Sequence, residues 1–189
     1  MTTAALRPTA PPIPNGILAM AVFLGTEAML FAGLVSAFLI LRANAPAWPP
    51  PGQPRLPVGV TGVNTAVLLL SAYTMERAAR ASAGAALRWL AATLALGALF
   101  LAVQGAEWLA LLRHGLGASA SVYAGSFYAL IGCHGLHVAA AVLTLAVLLA
   151  SALGAPSAET TRRRLAACRL YWLFVVAVWP VLYVLVYLA

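Results

Sequence analysis

The sequence predicts an all-α fold: an integral membrane bundle of five transmembrane helices, N-terminus cytoplasmic and C-terminus outside. Composition, spacing of apolar stretches and placement of arginines carry that prediction. Of the 189 residues, 63% are hydrophobic and 8% charged, with a mean hydropathy of +0.96. Soluble domains run at about 25% charged, and 11 basic plus 4 acidic side chains cannot cover a water-facing surface. A disordered chain is excluded by the apolar content. The net charge of +7 and pI near 10.3 would suggest nucleic acid in a soluble protein. Here the arginines lie between apolar segments, with no basic stripe interleaved with aromatics, so membrane topology accounts for them and nucleic-acid binding is not expected.

Each element follows in order. Residues 1–15 read as a Pro-rich cytoplasmic tail rather than a signal peptide, because Pro11, Pro12 and Pro14 fall where an apolar core should be. A bilayer crossing needs about 20 apolar residues, and five stretches qualify, near 16–41, 62–80, 86–113, 122–153 and 165–188. The second is shortest and carries Asn64, Ser71 and Thr74, while the fifth contains Pro180, a residue that kinks helices. The loop APAWPPPGQPRLP joins the first two spans. Trp48, Trp108 and Tyr123 are expected as interface anchors. Gly25, Gly33, Gly97, Gly105, Gly132 and Gly135 would allow close helix approach. Cys133 and Cys168 form no CxxC spacing and are not expected to pair.

Arginines orient the bundle. Arg7, Arg77, Arg80, Arg88, Arg162, Arg163, Arg164 and Arg169 fall on one side, and Arg42, Arg55 and Arg113 on the other. The positive-inside rule makes the richer side cytoplasmic. An Arg162–Arg164 run at that surface is accounted for by orientation, with an anionic-lipid contact as the sharper reading.

Five polar residues interrupt the apolar spans: Glu27, Gln104, Glu107, His134 and His137. A carboxylate at the bilayer centre costs roughly 2.5–3.5 kcal/mol on insertion scales, so such groups need partners. Glu27 lies about 11 residues into its span, roughly 16 Å deep, and His134 about 12 residues in, roughly 18 Å. Both are near the midplane of a layer about 30 Å thick. His134 and His137 are spaced i, i+3 on one helix face, as are Gln104 and Glu107. These groups are mutually satisfied packing residues, handlers of protons or lipid headgroups, or the core of a metal or haem site. His114, at the outer end of the third span, is far in depth from His134, so a bis-histidine haem pair is missing, as is a copper-type Cys/His/Met cluster.

The segment SFYALIGCHGLHVAAAVLTL, Ser126 to Leu145, resembles the His-Gly-Leu-His-Val helix of the cytochrome c oxidase subunit III family. LGTEAMLFAGLVSAFLILR (Leu24 to Arg42), NTAVLLLSAYTMERA (Asn64 to Ala78), QGAEWLAL (Gln104 to Leu111) and YWLFVVAVWPVLYVLVYL resemble, in order, four further blocks of that family. The likeness spans all five helices and implies the family's five-helix form. It implies a non-catalytic subunit of a haem–copper terminal oxidase in the aerobic respiratory chain of a bacterial inner membrane. Haem and copper would reside in partner subunits I and II, with no cofactor in this chain beyond a structural phospholipid, and with a larger respiratory supercomplex as a further partner. By position, Glu27 matches the family's buried carboxylate, associated with proton uptake into the catalytic subunit. Glu107, His134 and His137 match positions the family keeps polar, and Arg42 the arginine closing its helix, a lipid or helix-end contact. Leu173 and Val176 stand where the family has His and Asp. An accessory protein of nitric oxide reductases shares the fold and is the alternative, with a small transporter as another.

Overall fold

The computed structural model describes residues 15–154 and 158–188. Five helices run in order: α1 (Asn15–Ala43), α2 (Val58–Arg80), α3 (Ala83–Arg113), α4 (Val122–Leu153) and α5 (Ala158–Tyr183), the last continuing into a π-helical turn, Val184–Leu188. Each of the five is long and apolar enough to cross a membrane. The chain folds as the expected all-α multi-pass bundle. The Pro-rich segment ahead of Asn15 and Arg7 within it lie outside the described residues.

Helices run past the hydropathic spans. α2 begins at Val58 rather than 62, and α5 at Ala158 rather than 165. Hydropathy marks only the hydrocarbon crossing, whereas a helix continues through Thr and Arg wherever those side chains reach polar surroundings. At the start of α5, Glu159 sits in the first turn, where the helix dipole favours an anion, and accepts a bond from Arg163 Nε at 2.6 Å. α4 starts at Ser121, whose hydroxyl accepts from the Ala124 amide at 3.1 Å. α3 ends in a Schellman turn: Gly115, at φ +86°, donates to Leu112, and the Leu116 amide reaches the Leu111 carbonyl at 3.0 Å. Pro180 inside α5 has no N–H for the carbonyl four residues back.

α2 is apolar outside and polar inside. Its buried face is Thr61, Asn64, Thr65, Leu68, Ser71, Thr74, Met75 and Ala78, a stripe at i, i+3, i+4, i+7 spacing. Val60, Val63, Leu69 and Leu70 face outward. The polar residues that weaken the hydropathy of this span are the ones that hold it in place. Asn64 Nδ2 donates to the Phe100 carbonyl at 3.1 Å, Thr74 meets Thr93 at 2.8 Å, and the indoles of Trp172 and Trp179 donate to Ser71 and Thr65 at 3.1 and 2.8 Å. α2 packs most extensively on α3 and also on α5.

α1 is the edge helix. It packs chiefly on α4 and α5, and only Phe31 and Phe38 are fully buried on it. Its outward face includes Met29, 76% exposed, and Ile40. Glycine use corrects the sequence reading. A Cβ on Gly97 would overlap the Trp172 ring and lie 3.1 Å from Val142, and one on Gly135 would lie 3.1 Å from Trp108. These two permit close approach. Gly25, Gly33 and Gly105 have nothing within 4 Å, because two of them sit on the edge helix and spacing does not tell which face of a helix has a neighbour. Tyr123 is likewise not an outward anchor. It is buried, and Trp48 from the long loop packs edge-on between it and Phe38, with ring centroids 5.1 and 5.5 Å apart.

Candidate functional site

The polar residues of the spans divide into two clusters and one isolated ring. The first cluster lies on the seam of α1 and α4. Glu27 Oε2 is 2.7 Å from His137 Nε2, with the two side chains 15% and 16% exposed. The other ring nitrogen, Nδ1, is 2.7 Å from the Cys133 carbonyl, one turn back on α4, with the Cys133 sulfur at 3.8 Å. A carbonyl oxygen only accepts, so Nδ1 carries the hydrogen. The Glu27–His137 contact then needs one more proton, resting on Nε2 as an ion pair or on Oε2 as a neutral pair. Either way the pair has no net charge, which is what a low-dielectric seam tolerates. The ring of Phe31 meets His137 edge-on at 5.1 Å, and the Tyr171 hydroxyl donates to the His137 carbonyl at 3.3 Å.

The second cluster joins α2, α3 and the terminal π-helical turn. Glu107, 9% exposed, takes Thr61 Oγ1 at 3.2 and 3.0 Å from its two oxygens and the Gln104 amide at 3.2 Å. The same amide reaches the Tyr187 hydroxyl at 3.3 Å. Gln104 and Glu107 share a face as their spacing predicts. Nothing in hydropathy marks Thr61 or Tyr187 as part of this cluster. Thr61 lies ahead of the expected start of its span, and Tyr187 sits in the apolar tail of the fifth. The legible signal was the i, i+3, i+4 run Thr61, Asn64, Thr65. A cavity of about 550 Å³ between the long loop and α3 reaches Glu107, with Arg55 and His114 on its wall.

His134 belongs to neither cluster. It is 1% exposed, stacked on Trp179 with centroids 5.0 Å apart and planes at 26°, and approached edge-on by Phe31 and Phe100 at 6.1 and 6.5 Å. Among the described residues neither ring nitrogen has a hydrogen-bond partner. Spacing of i, i+3 puts the two histidines some 60° apart around the helix axis, enough for His137 to face α1 while His134 turns into the aromatic core. Arg42 reaches across the end of α1 to the Leu185 carbonyl at 3.3 Å, tying the edge helix to the π-helical turn. Val176, at the position where the resemblance places an Asp, is buried in the apolar core, and Leu173 is half-buried. Among the described residues no group of three or more His, Cys, Asp or Glu side chains is arranged to hold a metal ion.

Fold and clusters together define a multi-pass α-helical membrane protein with two glutamates, Glu27 and Glu107, each hydrogen-bonded at a seam between helices. The family model for cytochrome c oxidase subunit III matches residues 10–189. Among similar proteins, cytochrome c oxidase subunit 3 of Synechocystis sp. is 40% identical over 88% of this chain and 72% of its own length. The cytochrome bo(3) ubiquinol oxidase subunit 3 of Pseudomonas aeruginosa is 32% identical, covering 92% and 85%, and cytochrome c oxidase subunit 3 of Bacillus subtilis is 32% identical, covering 92% and 86%. The chain belongs to the cytochrome c oxidase subunit III family. The oxidase names of these relatives do not favour a nitric oxide reductase accessory protein or a transporter.

Proposed function

We propose that this chain is the non-catalytic third subunit of a haem–copper terminal oxidase in a bacterial inner membrane, N-terminus in the cytoplasm. In this reading it packs against a catalytic subunit I that holds haem and copper, beside a subunit II. A larger respiratory supercomplex and bound phospholipid are further partners of such an assembly. Relatives named for cytochrome c and for ubiquinol are both similar to this chain in sequence over most of its length, which suits a role common to both kinds of oxidase rather than one in electron entry.

The Glu27–His137 pair is the observation that carries the mechanistic part. One proton moves between Oε2 and Nε2 across 2.7 Å, converting carboxyl and imidazole to carboxylate and imidazolium with no change in net charge. His137 is held for this by its bond to the Cys133 carbonyl, so the ring cannot turn away. Because α1 is the edge helix and the pair keeps some exposure, a neighbouring subunit can give or take that proton. Glu27 thus supports proton supply to the catalytic subunit, and the chain stabilises that subunit during turnover. Glu107, hydrogen-bonded between α2 and α3 at the wall of the cavity beside the long loop, is a packing group in this account.

Mild-detergent purification from native membranes tests the assignment through co-purifying proteins and a redox difference spectrum. A haem–copper catalytic subunit with oxidase activity is the expected result, and a colourless chain purified alone overturns it.

A further inference from the structure

At the arginine-rich end, four helices leave a crevice of about 310 Å³. Its existence follows from the side chains that meet there. Ala78, Ala86 and Ala152 are too short to span the gap between the ends of α2, α3 and α4, and Leu90, Leu148 and Leu165 form apolar walls. α1 contributes nothing to it. The rim is different in kind, formed by Thr161 and Arg162 from the first turns of α5. Seven described arginines gather at this end, from Arg77 to Arg169, against Glu76 and Glu159. Both carboxylates are already engaged: Glu76 accepts from Arg169 at 2.6 Å and from Arg80 at 3.3 Å, and Glu159 accepts from Arg163 at 2.6 Å. Arg162 thus lines an apolar slot at an end where seven arginines stand against two carboxylates already engaged by other arginines.

We propose that this crevice binds one acidic phospholipid, an acyl chain lying between the alanines and leucines and the phosphate on Arg162. Attraction of a basic side chain to an anionic headgroup near a membrane surface is worth about fivefold in binding, and a guanidinium meets phosphate oxygens with two parallel N–H groups. An apolar slot under a cationic rim selects a lipid over free phosphate, because inorganic phosphate has nothing to place against Leu90 or Leu165. This inference rests on the proposed reading of phospholipid as a partner of the chain and deepens it by placing one lipid in this crevice, against Arg162.

The test uses the full-length chain, delipidated in detergent and titrated with palmitoyl-oleoyl phosphatidylglycerol or the matching phosphatidylcholine, with bound lipid counted by native mass spectrometry. One phosphatidylglycerol should be retained about fivefold more strongly than phosphatidylcholine. Arg162→Gln should abolish that preference, while Arg164→Gln, two positions on, should keep it. Ala152→Leu, which fills the slot without touching charge, should lower retention of both lipids. Millimolar inorganic phosphate should leave the bound lipid in place. Equal retention of the two lipids by the wild-type chain overturns the proposal. So do equal losses in the Arg162 and Arg164 variants, which would mean diffuse surface charge, or full retention in Ala152→Leu. Circular dichroism of each variant checks that the helices are intact.

Discussion

Two glutamates of one bundle live in different surroundings. Glu107 is enclosed by α2, α3 and the π-helical turn, with donors from Thr61 and Gln104 around both of its oxygens. Among the described residues Glu27 has a single side-chain hydrogen-bond partner, His137, on a seam made by the least buried helix. The contrast shows how a membrane protein separates structural from exchangeable polarity. Enclosure with several neutral donors makes a carboxyl part of the packing. One titratable partner at an edge leaves a proton able to move and a neighbour able to reach it.

That comparison can be broken in several ways, and the largest effect is expected in the enclosed region. Trp179→Ala removes the ring stacked on His134 and the bond to Thr65, and should lower stability by ~3–5 kcal/mol, as truncation of a buried aromatic does. The fraction of folded chain across a denaturing-detergent titration reads this loss. Glu107→Leu comes next, at ~2 kcal/mol in the same titration, because Thr61 and Gln104 lose the acceptor they share and keep only the Pro57 carbonyl and the Tyr187 hydroxyl. Glu107→Gln should recover most of that loss. His134→Leu should be milder, under ~1.5 kcal/mol, since its ring nitrogens have no partners to orphan and an apolar side chain suits an aromatic cage. A loss above that of Glu107→Leu would mean that His134 has a role the cage does not explain. Glu27→Gln should change stability least, by under ~1 kcal/mol, because the amide still donates to or accepts from His137 at an accessible seam.

Much of the fold was legible before any coordinates. Five apolar stretches gave five helices, because a lipid-facing backbone leaves few alternatives to helix. Their ends were less legible: the first two turns of α5 hold Glu159 and three arginines, which depress hydropathy without interrupting a helix outside the hydrocarbon. Within the site, pairing along one helix could be read, as with Gln104 and Glu107 at i, i+3. Pairing between helices could not. Nothing in the order of residues joins Glu27 to His137 rather than His134, since both histidines are near the right depth and only the rotation of α4 against α1 decides. The same lack of rotational information misassigned Gly25, Gly33 and Gly105. Polar residues in α2, which made that span look weakest, turned out to be its attachment to the core.

The most direct measurement is the Glu27→Gln variant, assembled with its oxidase partners and reconstituted in liposomes, compared with wild type for proton uptake and for loss of activity during turnover. The account predicts that the variant subunit is retained in full and that proton uptake falls or inactivation accelerates. Full retention with both rates unchanged would contradict it, and would make Glu27 a packing residue like Glu107.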